Sequence, residues 1–397
     1  MHPPGLALPA RPGWGLVLLP VFAVGVAFTL GIVATAPNRL LTARTVSALA
    51  APGWSLALYA IACVAAGGLV RMRAGSLAHM ARLARLARLG AALSAFGLLL
   101  LLLGEAATSA RVGLGPNARV ALAPGAWVAI GLLTLFAAAL GGSLGRAGRP
   151  AALAALLGIV AAFLASGGLD ALSLVREAGE RREDLVQALV EHCWIAGGAL
   201  LLALAVAVPM TLAAFRFRAA ERALVAVLST IQTIPSIALF GLLLPLFSAI
   251  GAASPTLRAL GLRGIGPAPA IVGIAAYLAL PLVAGFLAGL RAAEESVVEA
   301  ARGLGLTARE VLTGVRLPLG LPVFVGSLRT GAVQAVGLGA LAALVGGGGL
   351  GTFVFQGVGQ LAVDVVLLGA LPIVGLALGV DGALGVAEAA AAPRRDG

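Results

Sequence analysis

The stretch EAARGLGLTAREVLTGVRLP, from Glu299 to Pro318, lies between two long apolar segments of this chain. Each neighbouring segment is long enough to cross a lipid bilayer, which takes about 20 mostly apolar residues. The stretch itself carries two acids, three arginines and several glycines. A polar segment this compact between two spans points to a function at the membrane surface.

The composition places the chain among integral membrane proteins. Of its 397 residues, 60% are hydrophobic and only 11% are charged, which is too little charge to cover a soluble surface of this size. Alanine, leucine, glycine and valine dominate, and aromatic residues make up only 5%. This mixture favours closely packed helices over a β-barrel, so we expect an all-α integral membrane fold.

Several classes of function are excluded or disfavoured by particular residues. The chain has no lysine, so the glycine run Gly346–Gly349 is not a phosphate loop, which requires one. The net charge of +11 does not predict nucleic-acid binding, because the arginines cluster at span ends. His2, His79 and His192 lack metal-ligand spacing, so no metal is predicted. Any ATP hydrolysis would belong to a separate subunit.

The hydropathy pattern predicts about ten transmembrane helices: 14–36, 53–70, 90–108, 125–145, 151–167, 189–214, 223–249, 269–290, 320–345 and 361–380. A cytoplasmic N-terminus places most arginine-rich loops inside, as the positive-inside rule requires. The C-terminus is then also cytoplasmic, and so is the stretch from Glu299 to Pro318. Cleavage after the first span is a weaker alternative, because that span is long for a signal peptide.

A polar interval at 168–188 divides the predicted spans into five before it and five after. We therefore expect a membrane extension over 1–175, a second domain over 185–385 and a cytoplasmic tail over 386–397. In the extension, ARLARLARLG (Ala81–Gly90) places arginine and leucine at every third position. It is either a positive-inside anchor or a sensor of lipid charge and ionic strength.

The local pattern around Gly305 predicts two short helices joined by a turn. A helix from about Ala292 would end at Gly303 and Gly305, because glycine takes the backbone angles of a tight turn. Thr307 and Glu310 have the spacing of a capping box that starts a second helix, which Pro318 should end. Such a pair can dock in a groove on a partner, or merely join two spans.

The stretch resembles the cytoplasmic EAA loop of ABC-importer permeases, whose pattern is E-A-A, three residues, G, nine residues, I, one residue, L-P. Valine replaces isoleucine at one position, and every spacing agrees. The matching residues are Glu299, Ala300, Ala301, Gly305, Val315, Leu317 and Pro318. The resemblance implies that the last five spans form a type I permease core and that this loop, with Thr307 and Glu310, couples to the ATPase.

Three further segments resemble permeases that import glycine betaine, carnitine and choline: Gln232–Phe247, Ala343–Gly351 and Gly369–Gly385. This resemblance implies a bacterial inner-membrane subunit that imports osmoprotectants by alternating access. It also implies a second permease subunit, identical or homologous, a solute-binding protein outside the cytoplasm, and ATPase subunits that bind ATP and Mg²⁺. A different small solute is the alternative within the family.

Polar residues inside spans are candidates for the translocation path. Arg329 would lie about 16 Å deep if the ninth span begins at Pro318, and Gln334 deeper still. Arg329 would contact a solute carboxylate or hold a gate, unless it merely pairs with carbonyls or extends toward the interface. The weaker candidates lie in the seventh span: Thr233, Pro235, Ser236 and Phe240. Phe240 could bind a quaternary ammonium through its ring, or only pack.

Two other classes remain open from the sequence. An ion- or proton-driven carrier would need acids within its spans, and the candidates Glu105, Asp364 and Asp381 are expected near span ends. A membrane-embedded enzyme would need a catalytic constellation at one depth, and none is evident. Both classes therefore rank behind the permease.

Overall fold

The computed structural model describes residues 14–38, 41–71, 78–115, 118–145, 147–259 and 261–391. His2 and residues 392–397 of the predicted tail lie outside this range. The chain divides into two compact units, Met1–Glu180 and Arg181–Gly397.

Within its described residues, the first unit contains six α-helices and three short strands. Its helices are α1 (Trp14–Thr29), α2 (Gly53–Arg71), α3 (Ala78–Arg111), α4 (Pro124–Gly142), α5 (Gly148–Ala165) and α6 (Ser173–Glu180). Its strands are β1 (Val33–Ala36), β2 (Arg44–Val46) and β3 (Arg119–Leu122). The predominantly helical membrane fold is confirmed, and the strands are an addition that the sequence did not predict.

The first predicted span is wrong in its second half. The helix ends at Thr29, Gly31 turns the chain with a φ of +71°, and β1 follows. β1 lies between β2 and β3 in an antiparallel sheet, with Val33 opposite both Val46 and Leu122. The apolar run thus changes from helix to strand at a glycine, and hydropathy alone does not register that change.

The core of the first unit lies between its long helices. Tyr59 of α2, Leu99 and Leu102 of α3, and Phe136 of α4 are all fully buried. The helices are apolar around most of their circumference, as expected for helices that pack in a membrane.

The second unit is helical throughout its described residues. Its helices are α7 (Arg182–Arg216), α8 (Arg218–Thr233), α9 (Ser236–Ala253), α10 (Pro255–Ala259), α11 (Pro267–Leu290), α12 (Glu295–Gly303), α13 (Ala308–Val311), α14 (Leu317–Gly339), α15 (Gly351–Gly359) and α16 (Val363–Ala391). A π-helical turn, Leu312–Arg316, joins α13 to α14, and a 3-10 turn, Ala340–Val345, follows α14.

Among the described residues, nine helical segments are long and apolar enough to cross a membrane, and Gly15–Thr29 is a shorter apolar helix. The seventh predicted span, 223–249, is wrong as one helix, because the chain is extended at Ile234 and Pro235. The tenth continues past its predicted end at 380 to Ala391. The polar interval at 168–188 is largely helical, since it contains α6 and the start of α7.

Helix α11 is central in the second unit. Ile274, Leu278 and Leu282 are fully buried in one cluster with the small residues Ala199 and Ala203 of α7. Small side chains let membrane helices approach closely. Van der Waals packing then stabilises the contact, because lipid tails are as apolar as the helices and supply no hydrophobic driving force between them.

The closest approach between α11 and α14 occurs at Gly289 and Gly320. A Cβ added at Gly320 would collide with the backbone oxygen of Gly289, and one added at Gly289 would collide with the Phe324 ring. The two helix backbones therefore touch at this crossing, next to the polar stretch that begins at Glu299.

Candidate functional site

The polar stretch folds into a compact helical hairpin, formed by α12, α13 and the turn between them. Val298 and Ala301 of α12 and Val311 of α13 are buried against each other. Leu306 and Val315 pack at the edge of this small core. The hairpin therefore has its own hydrophobic contacts, unlike a loop that only spans a gap.

Gly305 makes the turn of the hairpin possible. Its φ is +84°, in the left-handed region that favours glycine. The amide of Leu306 donates to the carbonyl oxygen of Ala301 at 3.2 Å and closes the end of α12. The helix–glycine–helix arrangement predicted from the sequence is confirmed, with α12 beginning at Glu295 rather than near Ala292.

The predicted capping box is also confirmed. The amide of Glu310 donates to the Thr307 hydroxyl at 3.3 Å. In return, the Glu310 carboxylate accepts from the Thr307 amide at 2.7 Å and from its hydroxyl at 2.7 Å. These bonds satisfy amides at the start of α13 that no helical carbonyl can reach.

The prediction that Pro318 ends the second helix is wrong. α13 continues through the π-helical turn directly into α14, and Pro318 occupies the first turn of α14. The Leu317 amide donates to the carbonyl oxygen of Leu312, five residues back, so the wider π-helical turn accommodates the proline without ending the helix. The hairpin and α14 are therefore one continuous helical rod.

Arg316 fixes the hairpin to the bundle, a role that no local sequence pattern indicates. The side chain is buried and donates to the carbonyl oxygen of Leu290, at the end of α11, at 2.9 Å. Its second nitrogen lies 3.7 Å from Glu295. Its guanidinium also lies 5.4 Å from the centre of the Phe215 ring of α7.

The outer surface of the hairpin is formed by residues of the matched pattern and by one further leucine. Glu299, Ala300, Leu317 and Pro318 are exposed, whereas Ala301 is buried. Leu304, between the two glycines, is 82% exposed and was not singled out in the sequence. A large apolar side chain at the tip of a polar hairpin is a natural contact for a partner groove.

A bidentate ion pair joins α8 to the end of α11 near the hairpin. The Arg291 guanidinium donates to both Glu221 oxygens, at 2.8 and 2.7 Å, and these hydrogen bonds hold the pKa of Glu221 below its ordinary value of 4.5. Because its pKa is lowered, Glu221 contributes stability above its ordinary pKa, and that contribution is lost as the pH falls through the lowered pKa.

We expect Glu221→Gln to melt at a lower temperature than the wild type at pH 7, and the difference in melting temperature to shrink below about pH 4.5. Thermal melts of both proteins across pH would check this, and a constant difference would contradict it.

The break between α8 and α9 is held by Tyr277 of α11. Its hydroxyl donates to the carbonyl oxygen of Ile234, and its backbone oxygen accepts from the Gln232 side chain at 2.9 Å. The carbonyl oxygen of Ile234, at the break before Pro235, is therefore satisfied within the protein, as an apolar environment requires. Tyr277 lies 43 residues from Ile234, so no local sequence pattern indicates this contact.

The other candidates near this break are less suggestive of a path. Phe240 is 1% exposed and packs against Gly273, which favours the packing interpretation. The Thr233 hydroxyl donates to the carbonyl oxygen of Thr230 at 2.7 Å. Ser236 is partly exposed at the start of α9. Their assignment to the translocation path stays a prediction.

Arg329 lies at the centre of a charged cluster between α14 and α16. Its guanidinium donates to both oxygens of Asp381, at 2.6 and 2.7 Å, and to Glu388 at 3.1 Å. Among the described residues, the partners of Arg329 are these two acids and not backbone carbonyls. Its assignment to the translocation path stays a prediction. Asp381 lies within α16, which continues to Ala391.

This cluster lines a cavity of about 540 Å³, which we call the charged cavity. Its lining comprises Gly326, Arg329, Thr330, Val333, Gln334, Asp381 and Glu388. The structure thus brings together Arg329 and Gln334, the two stronger path candidates, on one face of α14. Asp381 and Glu388, which the sequence did not assign to the path, complete the lining.

The glycine-rich turn is held against α7. The Glu191 carboxylate accepts from the Gly349 amide at 2.9 Å, and His192 contacts the carbonyl oxygen of Val336 through Nε2 at 2.9 Å. Gly346, Gly348 and Gly349 all have positive φ. His192 lies within α7 and is fully buried.

Residues 199–391 match the family described as "Binding-protein-dependent transport system inner membrane component". Residues 10–175 match "ABC transporter permease YehY, N-terminal domain". The glycine betaine/carnitine/choline transport system permease protein OpuCB of Bacillus subtilis is 30% identical over 204 residues, which cover 51% of this chain and 87% of that protein.

The osmoprotectant import permease protein OsmW of Salmonella typhimurium is 35% identical over 191 residues, which cover 48% of this chain and 84% of that protein. A chain of the MetNI methionine ABC transporter, solved in inward facing conformations, is 20% identical with a TM-score of 0.46, over 54% of this chain and 99% of that chain. The resemblance stated from the polar stretch is confirmed by the family match and by these relatives. The chain belongs to the binding-protein-dependent ABC-importer permeases.

Proposed function

We propose that the chain is the transmembrane subunit of an ATP-driven importer for osmoprotectants, such as glycine betaine, choline or related quaternary amines, and that it works by alternating access. The capped hairpin supports this proposal most directly, because it is a preformed helical docking element with an exposed apolar tip. The names of the similar permeases supply the solute class.

In this proposal, two cytoplasmic ATPase subunits bind two permease subunits, and each hairpin docks in a groove of one ATPase. Leu304 would enter the groove, while the charged rim of the hairpin sets its orientation. The rod formed by α13, the π-helical turn and α14 would carry the movement into the membrane. ATP and Mg²⁺ would be bound by the ATPase, and solute would arrive from a separate binding protein.

The chain is a multi-pass subunit of the bacterial inner membrane by its family. We further propose that both termini face the cytoplasm, which places the hairpin on the ATPase side.

One observation favours an ion-driven carrier as a second candidate. Asp381 and Glu388 are acids within the last candidate span, as ion coupling would need. Both acids are paired with Arg329, however, which reduces their capacity to take up and release a proton or cation.

Co-purification tests the proposed function. We expect the tagged full-length chain, extracted in mild detergent from its native cells, to retain an ATPase subunit. We also expect uptake of labelled choline or glycine betaine by those cells to stop with ATPase inhibition and to persist when an ionophore dissipates the ion gradients. Uptake lost with the gradients, together with no retained ATPase, would favour the carrier instead.

The capping box yields a prediction for the docking element. Thr307→Ala removes the cap of α13, which costs about 1 kcal/mol in helix stability, and we expect the ATPase to bind roughly fivefold more weakly. Thr313→Ala is the matched control, because that hydroxyl donates only to the Arg309 carbonyl within the same helical segment. The dissociation constant of the purified ATPase for each permease measures the effect. Equal affinities for the two variants would show that the cap does not order the docking surface.

A further inference from the structure

The charge balance of the charged cavity is unequal. One guanidinium faces two carboxylates, so the three ionised groups carry a net charge of −1. Asp381 accepts two hydrogen bonds from Arg329, at 2.6 and 2.7 Å. Glu388 accepts one, at 3.1 Å, through a single oxygen. Glu388 is therefore the less neutralised of the two acids.

The cluster is open to its surroundings. The side chains of Arg329, Asp381 and Glu388 are 35%, 41% and 37% exposed, although they project from apolar candidate spans. Arg329 lies twelve residues beyond Leu317, about 18 Å along α14 at the α-helical rise. Charged groups that project from apolar spans do not face lipid, because their desolvation is costly. This face of α14 and α16 therefore borders a water-containing path.

Two glycines let the charged side chains lie close to the backbones of α14 and α16. A Cβ at Gly326 would lie 3.0 Å from a Glu388 oxygen, and one at Gly385 would lie 3.2 Å from the Arg329 guanidinium carbon. Gln334 also lines the cavity, and its side chain makes no hydrogen bond within the described residues. About 540 Å³ is ample for a solute with fewer than ten heavy atoms.

We propose that the charged cavity is a transient binding subsite for the cationic group of the transported solute, and that Glu388 selects solutes of net positive charge over zwitterions and anions. This inference rests on the proposed function, since it assigns a site within the path of that importer. None of the seven lining residues is aromatic, so the cation is held by charge and not by ring faces. Binding by charge alone in a hydrated cavity is weak, which suits a site that must release its solute.

The test compares two solutes in one preparation. The full importer, with its ATPase and binding protein, is reconstituted in proteoliposomes, and initial uptake of labelled choline, a cation, and glycine betaine, a zwitterion, is measured below saturation. The ratio of the two rates cancels differences in the amount of assembled complex. We expect Glu388→Gln to lower the choline-to-betaine ratio by about fivefold, because it removes the uncompensated charge.

Matched variants separate charge from structure. Glu388→Asp keeps the charge and should keep the ratio, whereas Asp381→Asn removes a charge from the same cavity and should also lower it. Glu183→Gln, an exposed acid at the start of α7, should leave the ratio unchanged.

An unchanged ratio in both Glu388→Gln and Asp381→Asn would overturn the inference. So would an equal fall of the ratio in Glu388→Asp and Glu388→Gln, because the effect would then not follow charge. A wild-type complex that retains its ATPase but takes up neither solute would overturn the proposed solute class, and this inference with it.

Discussion

Gly305→Val is expected to abolish retention of the ATPase and to reduce solute uptake more than tenfold. Gly305 has a φ of +84°, a conformation that β-branched residues essentially never adopt. Forcing it would cost about 1–3 kcal/mol, or the turn would rearrange. Either outcome moves Leu304 and the start of α13 away from the position that the partner groove requires.

Gly303→Val is the matched control for this substitution. Gly303 ends α12 without a positive φ, and a Cβ there meets no atom within 4 Å, as is also true at Gly305. The two variants thus differ in backbone strain and not in available space. Co-purification and uptake should survive in Gly303→Val; loss of both to the same degree would show that the turn conformation is not what matters.

Arg329→Gln is expected to destabilise the second unit, because it leaves Asp381 and Glu388 without their cationic partner. The cost should be well below that of breaking a fully buried ion pair, because each of the three side chains is more than a third exposed. We expect the melting temperature of the purified protein to fall by several degrees. Arg329→Lys keeps the charge but loses the bidentate geometry, so its melting temperature should lie between those of the wild type and Arg329→Gln.

The triple variant Arg329→Gln, Asp381→Asn, Glu388→Gln provides the control, because it removes all three charges together. Its melting temperature should recover toward the wild-type value, while uptake remains impaired. If Arg329→Lys and Arg329→Ala both transport normally at normal expression, Arg329 has no part in the path. If the triple variant is no more stable than Arg329→Gln, unpaired carboxylates are not the cause of the instability.

The hairpin could be predicted from the sequence because its signals are local. Thr307 and Glu310 are three residues apart, and Gly305 precedes them by two. Capping and turn formation depend on neighbours along the chain, so the residue types at these spacings carry most of the information. Pro235 is a residue type that interrupts helices, but the apolar run continues on both sides of it, so the hydropathy pattern predicted a single helix.

The contacts that sequence reasoning missed are long-range. Arg329 and Asp381 are 52 residues apart, Tyr277 and Ile234 are 43 apart, and Arg316 and Leu290 are 26 apart. Each pairing depends on which helix faces lie together, which the apolar periodicity of membrane helices does not specify when nearly every face is apolar. The strand at Val33 was missed for the same reason, since its partners lie in other segments.

The backbone contact between Gly289 and Gly320 has a mechanical consequence. The Phe324 ring fills the space that a side chain at Gly289 would occupy, so sliding of the two helices past each other is opposed and α14 is left to tilt about the crossing. From Gly320 the rod extends about 18 Å to the start of α13 in one direction and about 29 Å to Gly339 in the other. The rod would act as a lever: a push on the hairpin moves the Gly339 end in the opposite direction and through a larger distance. Tilting about this one crossing would then move the two ends of the rod in opposite directions. One side of the path could close as the other opens without a separate signal.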